Sequence, residues 1–412
     1  MAFFHILSLL IDMNPSKHVL IFFMAVVLPL FLIACQHEAE NISRIDTTGT
    51  LSMETNLMIG QIEQPFENQF GRPIAVRTDE DNNIYVADRA NLTIKVFDGD
   101  GNYLRSLGGR GRGPGEFMEM ELVEWTPEGN LVIMDRGILQ YTVISPEGEF
   151  VKAYPYNMSE QFYPTAIDYT DDGMLALFFD DSPWSEVERE NRDLFHIYSD
   201  DFQELRYSLF PYNKLSMPGG YLLAEMMYAP GSFTLAKDNS RFYYSPTIYT
   251  GSLYEFVKNE EGLWEYSSTL QGAIPDVEPY VILDSEEEYQ EVRMLPGSAL
   301  IYAAGGPYMG RILSINMGIF FRDDGSLIHF YGIRRENEEF TEESGYHYLD
   351  MYAQVFDRDG SILHYDLLTT IHERRFSRTK LFINWQDEAG NYYMIEHVED
   401  IPVIRRFSIE VH

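Results

Sequence analysis

The chain has 412 residues, of which 45% are hydrophobic and 14% are aromatic. This composition supplies a sizeable core and favours strands, so it excludes a largely disordered chain. The formal net charge of -35 at pH 7 would repel a phosphate backbone, which excludes nucleic acid as an expected partner. The single cysteine excludes an intramolecular disulfide framework and a cysteine-based metal cluster.

The N-terminal segment has the layout of an export signal. Residues 19–34 form an apolar run that follows Lys17 and ends directly before the single cysteine, Cys35. A short apolar run with a positive charge before it and a small residue at its end is typical of a secretory signal peptide. The run is also short for a membrane-spanning helix. The pattern therefore predicts a signal peptide over residues 1–34.

The tetrapeptide LIAC at residues 32–35 closes this run and resembles the lipobox of bacterial lipoproteins. The resemblance implies that the Cys35 thiol is the site of lipid attachment and that cleavage leaves Cys35 as the N-terminus. A second acyl chain on the new amino group would make the anchor stable. Two alternatives stay open: an uncleaved anchor helix with an incidental cysteine, and Met13 in place of Met1 as the true start.

Residues 35–48 are polar and lack an apolar period, so they are predicted to be a flexible tether. Residues 49–412 are predicted to form a single folded domain. Both interpretations of the export segment place this domain outside the cytoplasm. The lipobox resemblance predicts a lipid-anchored protein of the cell envelope, in the outer membrane, on either its periplasmic or its outer side.

A turn pattern recurs six times along the remaining chain, first as DEDNNIYV at residues 79–86. Each copy has polar residues, then a small or turn-forming residue at the fourth place, then a short apolar run. A tight hairpin needs positive φ at such a place, which glycine adopts without strain and asparagine tolerates. The fourth-place residues are Asn82, Gly129, Gly173, Ser240, Gly325 and Gly390.

A second hairpin follows in most copies, for example VFDGDGNY at residues 96–103 and VISPEGEF at residues 143–150. Two hairpins in about forty residues give four strands, which is the size of one propeller blade. Residues 72–117, with YVAD, VFD and GPGEF in order, resemble the NHL repeat. The resemblance is looser in the later copies. It implies an all-β, six-bladed β-propeller of four-stranded antiparallel blades in a bacterial lipoprotein family.

The last repeat has too few strands for a complete blade, since the chain ends after the apolar segments 392–398 and 403–411. An unassigned segment, residues 51–62, precedes the first repeat. We expect this segment to pair with the outer edge of the last blade and to close the ring, because closure removes exposed strand edges.

The loops between the predicted strands differ in length on the two faces of the propeller. The turns between first and second strands are all short. The long inserts fall between second and third strands or between blades, at residues 180–193, 207–231, 269–310 and 331–348. Long loops on a rigid scaffold usually carry binding sites, so the pattern predicts a ligand-binding face on this side. The alternative is that the inserts only cover blade edges.

Charged residues end the second strands of three repeats: the pairs Asp88-Arg89 and Asp135-Arg136, and Glu396. One interpretation is a charged ring on the ligand-binding face. The alternative is that the acidic side chains cap the adjacent turns by accepting hydrogen bonds from backbone amides.

Two arginines and a tryptophan complete the candidate ligand-binding residues. Arg110 and Arg112 lie in a glycine-rich connection between blades, where they would bind an anion or be solvated. Trp184 lies in an insert and offers a surface on which a sugar or an aromatic ligand could stack. For Trp385, near the inner strand of the last repeat, core packing is the expected role.

The sequence contains no recognisable catalytic constellation, and no catalytic residue or cofactor is predicted. Together with the uneven loops, this favours a binding or scaffolding module for a glycan, peptide or protein partner. The alternative is an enzyme, because similar six-bladed propellers include lyases and lactone hydrolases with a metal in the central channel. A calcium ion would be expected in that case, but its ligands cannot be chosen from the sequence.

Overall fold

The computed structural model describes residues 49–156, 164–178, 193–211, 214–215, 231–293, 295, 297–303, 306–335, 346–374, 383–398 and 401–412. The predicted signal peptide and tether, with Cys35, lie outside the described residues, and so does Trp184. No helix in the described part of the chain is long and apolar enough to cross a membrane.

Six four-stranded antiparallel sheets form the fold, as the repeated turns predict. The first described strand in the chain is β1 (Leu51–Ile59). Blade 1 contains β2 (Pro73–Thr78), β3 (Ile84–Asp88), β4 (Thr93–Phe97) and β5 (Tyr103–Gly108). Blade 2 contains β6 (Met120–Trp125), β7 (Leu131–Asp135), β8 (Gln140–Ile144) and β9 (Phe150–Pro155). Blade 3 contains β10 (Pro164–Thr170), β11 (Gly173–Phe178), β12 (Asp193–Tyr198) and β13 (Leu205–Pro211). Blade 4 contains β14 (Gly231–Leu235), β15 (Arg241–Pro246), β16 (Ser252–Lys258) and β17 (Trp264–Gln271).

The connection from blade 4 to blade 5 folds into a small sheet of its own, which the sequence did not predict. It holds β18 (Tyr280–Ile282), the helix α1 (Glu286–Val292), β19 (Ser298–Ala303) and β20 (Gly306–Ile312), with β20 between β18 and β19. Blade 5 contains β21 (Ser314–Phe321), β22 (Leu327–Arg335), β23 (Tyr346–Phe356) and β24 (Ile362–Arg374). Blade 6 contains β25 (Ile383–Gln386), β26 (Tyr392–Val398) and β27 (Ile401–Val411), with β1 as its fourth strand.

The first strands of the blades surround one axis. β2 contacts β6, β6 contacts β10, and contacts continue through β14, β21 and β25 back to β2. Apolar clusters fill the spaces between blades; the cluster that joins blades 1 and 2, for example, includes Tyr85, Ile94, Val123 and Leu131. The core therefore lies between the sheets, and the inner strands are left to line the axis.

Closure by the N-terminal strand is confirmed. β1 pairs antiparallel with β27, from Leu51 opposite Val411 to Ile59 opposite Ile404. The strand ends at Ile59, three residues before the predicted limit, where Gly60 adopts a φ of 103°. Leu51 and Ile59 are buried, whereas Glu54 in the middle of the strand is exposed. Both ends of β1 thus anchor the closure by apolar packing.

The first turn of each blade follows the predicted pattern with two differences. Asn82, Gly129, Gly325 and Gly390 have positive φ, and each donates its N–H to the carbonyl oxygen three residues before. In blade 4 the residue with positive φ is Asn239 (φ 54°), so the assignment of that role to Ser240 is wrong. In blade 3 Gly173 also has positive φ (138°), as predicted, but the turn has only two residues and Gly173 already pairs with Thr170 as part of β11.

We expect Gly129→Ala to destabilise the protein by about 1 kcal/mol, because alanine is strained at a φ of 75°. A Cβ at this place has no heavy atom within 4 Å, so strain rather than collision sets the cost. Urea unfolding measures the change. The matched variant Asn82→Gly retains the turn and is expected to change stability by less than about 0.5 kcal/mol; equal losses in both variants would contradict this account.

Candidate functional site

Equivalent places near the ends of the six inner strands carry Arg77, Glu124, Asp168, Thr234, Phe320 and Trp385. Four of these side chains, from blades 6, 1, 2 and 3, come together around the axis. We call Trp385, Arg77, Glu124 and Asp168 the axial cluster. Each is one or two residues from the end of its inner strand, so the cluster lies near the face that carries the short first turns.

Arg77 is the centre of the axial cluster. Its Nε donates to both carboxylate oxygens of Glu124 at 3.0 Å, and its Nη2 donates to Oε2 at 2.7 Å. Its Nη1 donates to Oδ1 of Asn384 in blade 6, and the guanidinium carbon lies 4.7 Å from the ring centre of Trp385. A side chain that reaches blades 6 and 2 from blade 1 must lie on the axial side of its strand.

Among the described residues, Asp168 is the axial carboxyl that forms no ion pair. Its Oδ1 accepts one hydrogen bond, from the backbone N–H of Tyr169 at 2.7 Å. Burial raises the pKa of Asp168 to about 7, and the charge of Glu124 adds to the increase, against smaller opposing effects of the Tyr169 N–H and Arg77. Near neutral pH this carboxyl is therefore divided between its charged and neutral forms.

Because Asp168 binds its proton more tightly in the folded chain, this group's contribution to stability is expected to fall as pH rises from about 4 to about 7. In that interval the folded state holds more protons than the unfolded state, so unfolding becomes easier. Asp168→Asn removes the effect and should gain about 2 kcal/mol relative to wild type between pH 5 and pH 8. Urea unfolding at pH 5 and at pH 8 measures the difference in stability between the variant and wild type. Asp200→Asn, an exposed change in the same blade, is the control; parallel pH curves for Asp168→Asn and wild type would contradict the assignment.

Asp88 and Asp135, two of the predicted ligand-binding residues, are fully buried and hold the backbone together. The carboxylate of Asp88 accepts hydrogen bonds from the N–H groups of Gly71, Arg72 and Ala90. The carboxylate of Asp135 accepts the corresponding bonds in blade 2, from the N–H groups of Met118, Glu119 and Gly137. Both side chains thus tie the end of a second strand to the start of its inner strand.

The other predicted charges divide between places: Arg89 and Arg136 both contact Glu119 at the start of blade 2, whereas Glu396 lies in blade 6. Arg89 forms ion pairs with Glu119 and Glu121 of blade 2. Glu396 is buried and accepts from Nε of Arg405 at 2.7 Å. The backbone N–H of Arg136 donates to the Glu119 carbonyl oxygen. The remaining two cations, Arg110 and Arg112, are exposed on the connection from blade 1 to blade 2.

A buried polar network between blades 4 and 5 includes Ser245 and His329, whose Oγ and Nε2 atoms are 3.0 Å apart. The N–H of Ala273 donates to Oε1 of Gln354, which directs Nε2 of Gln354 to Nδ1 of His329. His329 therefore accepts at Nδ1 and carries its proton on Nε2, facing Oδ1 of Asn316. Burial lowers the pKa of His329 to about 3. This tautomer cannot take a proton from Ser245, so the network is structural rather than nucleophilic.

Sequence analysis did not select the axial cluster. Its signal was present: the residue two places before the first residue of the repeated turn pattern is charged in blades 1, 2 and 3, as Arg77, Glu124 and Asp168. Within the described residues, no group of three or more His, Cys, Asp or Glu side chains is arranged to hold a metal ion.

The fold and the ring of inner strands define this chain as a six-bladed β-propeller protein. Residues 63–266 match the DUF5128 family, described as a 6-bladed beta-propeller. A search of curated proteins finds no significant match.

Three solved structures are similar to this chain at low sequence identity. A member of the DUF4221 family from Bacteroides vulgatus has a TM-score of 0.56 and 12% identity, with 89% of this chain and 100% of that chain covered. A putative exported protein from Bacteroides fragilis has a TM-score of 0.48 and 10% identity, with 87% and 95% covered. Virginiamycin B lyase from Staphylococcus aureus has a TM-score of 0.39 and 11% identity, with 87% and 99% covered. At these identities the similarity concerns the fold alone.

Proposed function

We propose that the protein is a binding or scaffolding module of the bacterial cell envelope, held to the membrane by lipid on Cys35. A glycan, peptide or protein partner would bind on the elaborated face, which carries the connections between blades and the loops between second and third strands. The observation that carries the proposal is the connection from blade 4 to blade 5, residues 272–313, which builds a small sheet and a helix on that face.

This connection is fastened to the propeller at several points. The N–H of Ser314, the first residue of β21, donates to the Pro279 carbonyl oxygen at 3.0 Å, and Nη1 of Arg334 donates to the Ile312 carbonyl oxygen at 2.8 Å. Arg335 forms an ion pair with Asp276 at 3.0 Å. A fixed surface loses little conformational entropy on binding, which favours a role in recognition.

The same connection exposes two apolar side chains, Ile274 and Ile282, with 50% and 38% of their surface accessible. Apolar residues at the centre of a contact contribute most of the binding free energy, with polar groups around them. The helix α1, which begins four residues after Ile282, adds exposed Glu286, Glu287 and Glu291 to the same connection.

The test of partner binding is affinity capture from envelope extract with the full chain and with Ile274→Glu/Ile282→Glu. The expected result is a partner recovered by wild type and at least tenfold less by the double variant. Leu104→Glu, at an exposed site on an outer strand of blade 1, is the matched control and should retain capture. Equal capture by all three proteins, or none by wild type, contradicts the proposed surface.

The anchor is tested separately by metabolic labelling with a fatty acid. Wild type is expected to incorporate the label and to sediment with membranes, whereas Cys35→Ala should do neither. Unlabelled wild-type protein would contradict lipidation without affecting the argument about the elaborated face.

A further inference from the structure

The end of the propeller axis opposite the elaborated face holds a second polar site. The axial cluster lies one or two residues before the short first turns, and in blade 3 the turn after β10 has only two residues between Thr170 and Gly173. The described first turns at this end are short, and the connection from blade 4 to blade 5, residues 272–313, belongs to the other face.

The charges of the axial cluster do not balance. Nε and Nη2 of the Arg77 guanidinium donate to Glu124, and Nη1 donates to the Val76 carbonyl oxygen and to Oδ1 of Asn384. Glu124 in turn accepts from Arg77 and from the N–H of Trp125. This pair is therefore neutral, and the carboxyl of Asp168, whose charge Arg77 offsets only in part, carries the net negative charge of the cluster.

Within the described residues, Asp168 accepts a single hydrogen bond, and it falls on Oδ1. No donor to its Oδ2 lies in the described part of the chain, and the side chain is half-buried beside Glu124. A carboxylate that is partly removed from water and lacks a counter-charge is stabilised by a cationic donor from outside the chain. The net charge of -35 also raises the local concentration of cations.

We infer that Asp168 anchors the ammonium group of a small organic amine at this end of the axis. An ammonium group fits because it offers donors and a full positive charge to one open oxygen. A calcium ion fits poorly because it needs six to eight oxygen ligands, and the neighbouring Glu124 oxygens are held by Arg77. This site lies at the opposite end of the axis from the surface of the proposed function and does not depend on it.

The probe is n-butylammonium chloride, titrated into the full chain at pH 8 and followed by isothermal calorimetry. A dissociation constant on the order of 1 mM is expected for one partly buried ion pair. The neutral isostere, 1-butanol, should bind at least tenfold more weakly. Matched ionic strength with sodium chloride excludes a general salt effect.

Asp168→Asn retains the shape of the side chain and is expected to weaken butylammonium binding at least tenfold, whereas Asp200→Asn should not change it. Thermal unfolding of both variants shows that they are folded. Binding that is unchanged in Asp168→Asn, or equal for the ammonium and the alcohol, overturns the inference. Ile274→Glu/Ile282→Glu should bind the amine normally, so failure at either site is distinguishable from failure at the other.

Discussion

Asp88→Ala is expected to lower the free energy of unfolding by about 3 kcal/mol. The carboxylate is fully buried and accepts from three backbone N–H groups and from Nδ2 of Asn91. Alanine leaves these donors without partners, and each unsatisfied buried donor costs about 1–3 kcal/mol, reduced where water enters the space left behind. Urea unfolding measures the loss.

Asp88→Asn separates the capping role from a role in ligand binding. The amide retains one acceptor oxygen, so it should lose less than alanine does. Asp100→Ala, at an exposed site in the second hairpin of the same blade, should stay within about 0.5 kcal/mol of wild type. Wild-type stability of Asp88→Ala would show that these bonds do not hold the blade, and the ligand-binding interpretation of Asp88 would then be favoured.

Ile59→Asp is expected to produce the second large loss, about 4 kcal/mol or more. Ile59 is 1% exposed and packs in a cluster with Phe70, Phe97 and Ile404, where blades 6 and 1 meet. A carboxylate placed there has no cation to pair with in that apolar cluster, and burial of an unpaired charge is among the most costly substitutions. Thermal and urea unfolding measure the change.

The effect of Ile59→Asp is specific to closure if the exposed part of the same strand tolerates change. Glu54→Gln, between the two buried ends of β1, is the control and should alter stability by less than about 0.5 kcal/mol. A second measure is aggregation at high protein concentration, because loss of β1 exposes the edge of β27. A soluble, wild-type-like Ile59→Asp would mean that β1 is not needed to close the ring.

The blade architecture followed from local signals in the sequence. Turn residues such as Gly129 and Gly390 fix where strands reverse, since positive φ is a property of a single residue. Closure by β1 followed from counting strands, because an incomplete last blade requires a partner. Asn239 was missed because both it and Ser240 are turn-forming residues, and only the backbone angles distinguish them.

The candidate site was harder to predict than the fold. Arg77, Glu124 and Asp168 are far apart in the chain, and the repeats place them side by side only when the inner strands are in register. Asp88 was selected as a ligand-binding candidate because it is charged and ends a strand. In the structure its carboxylate is buried and accepts hydrogen bonds from backbone N–H groups. The sheet within residues 272–313 has short strands without a repeated turn, so no periodic signal marks it.

The pairing of β1 with β27 joins segments that lie at opposite ends of the folded domain's sequence. Because β1 is synthesised before β27, its partner, the native ring cannot close until the last strand of the domain has been translated. Contacts of such long sequence separation are slow to form and leave apolar strands open to other chains meanwhile. Closure of the ring is therefore expected to be a late step in the folding of this propeller.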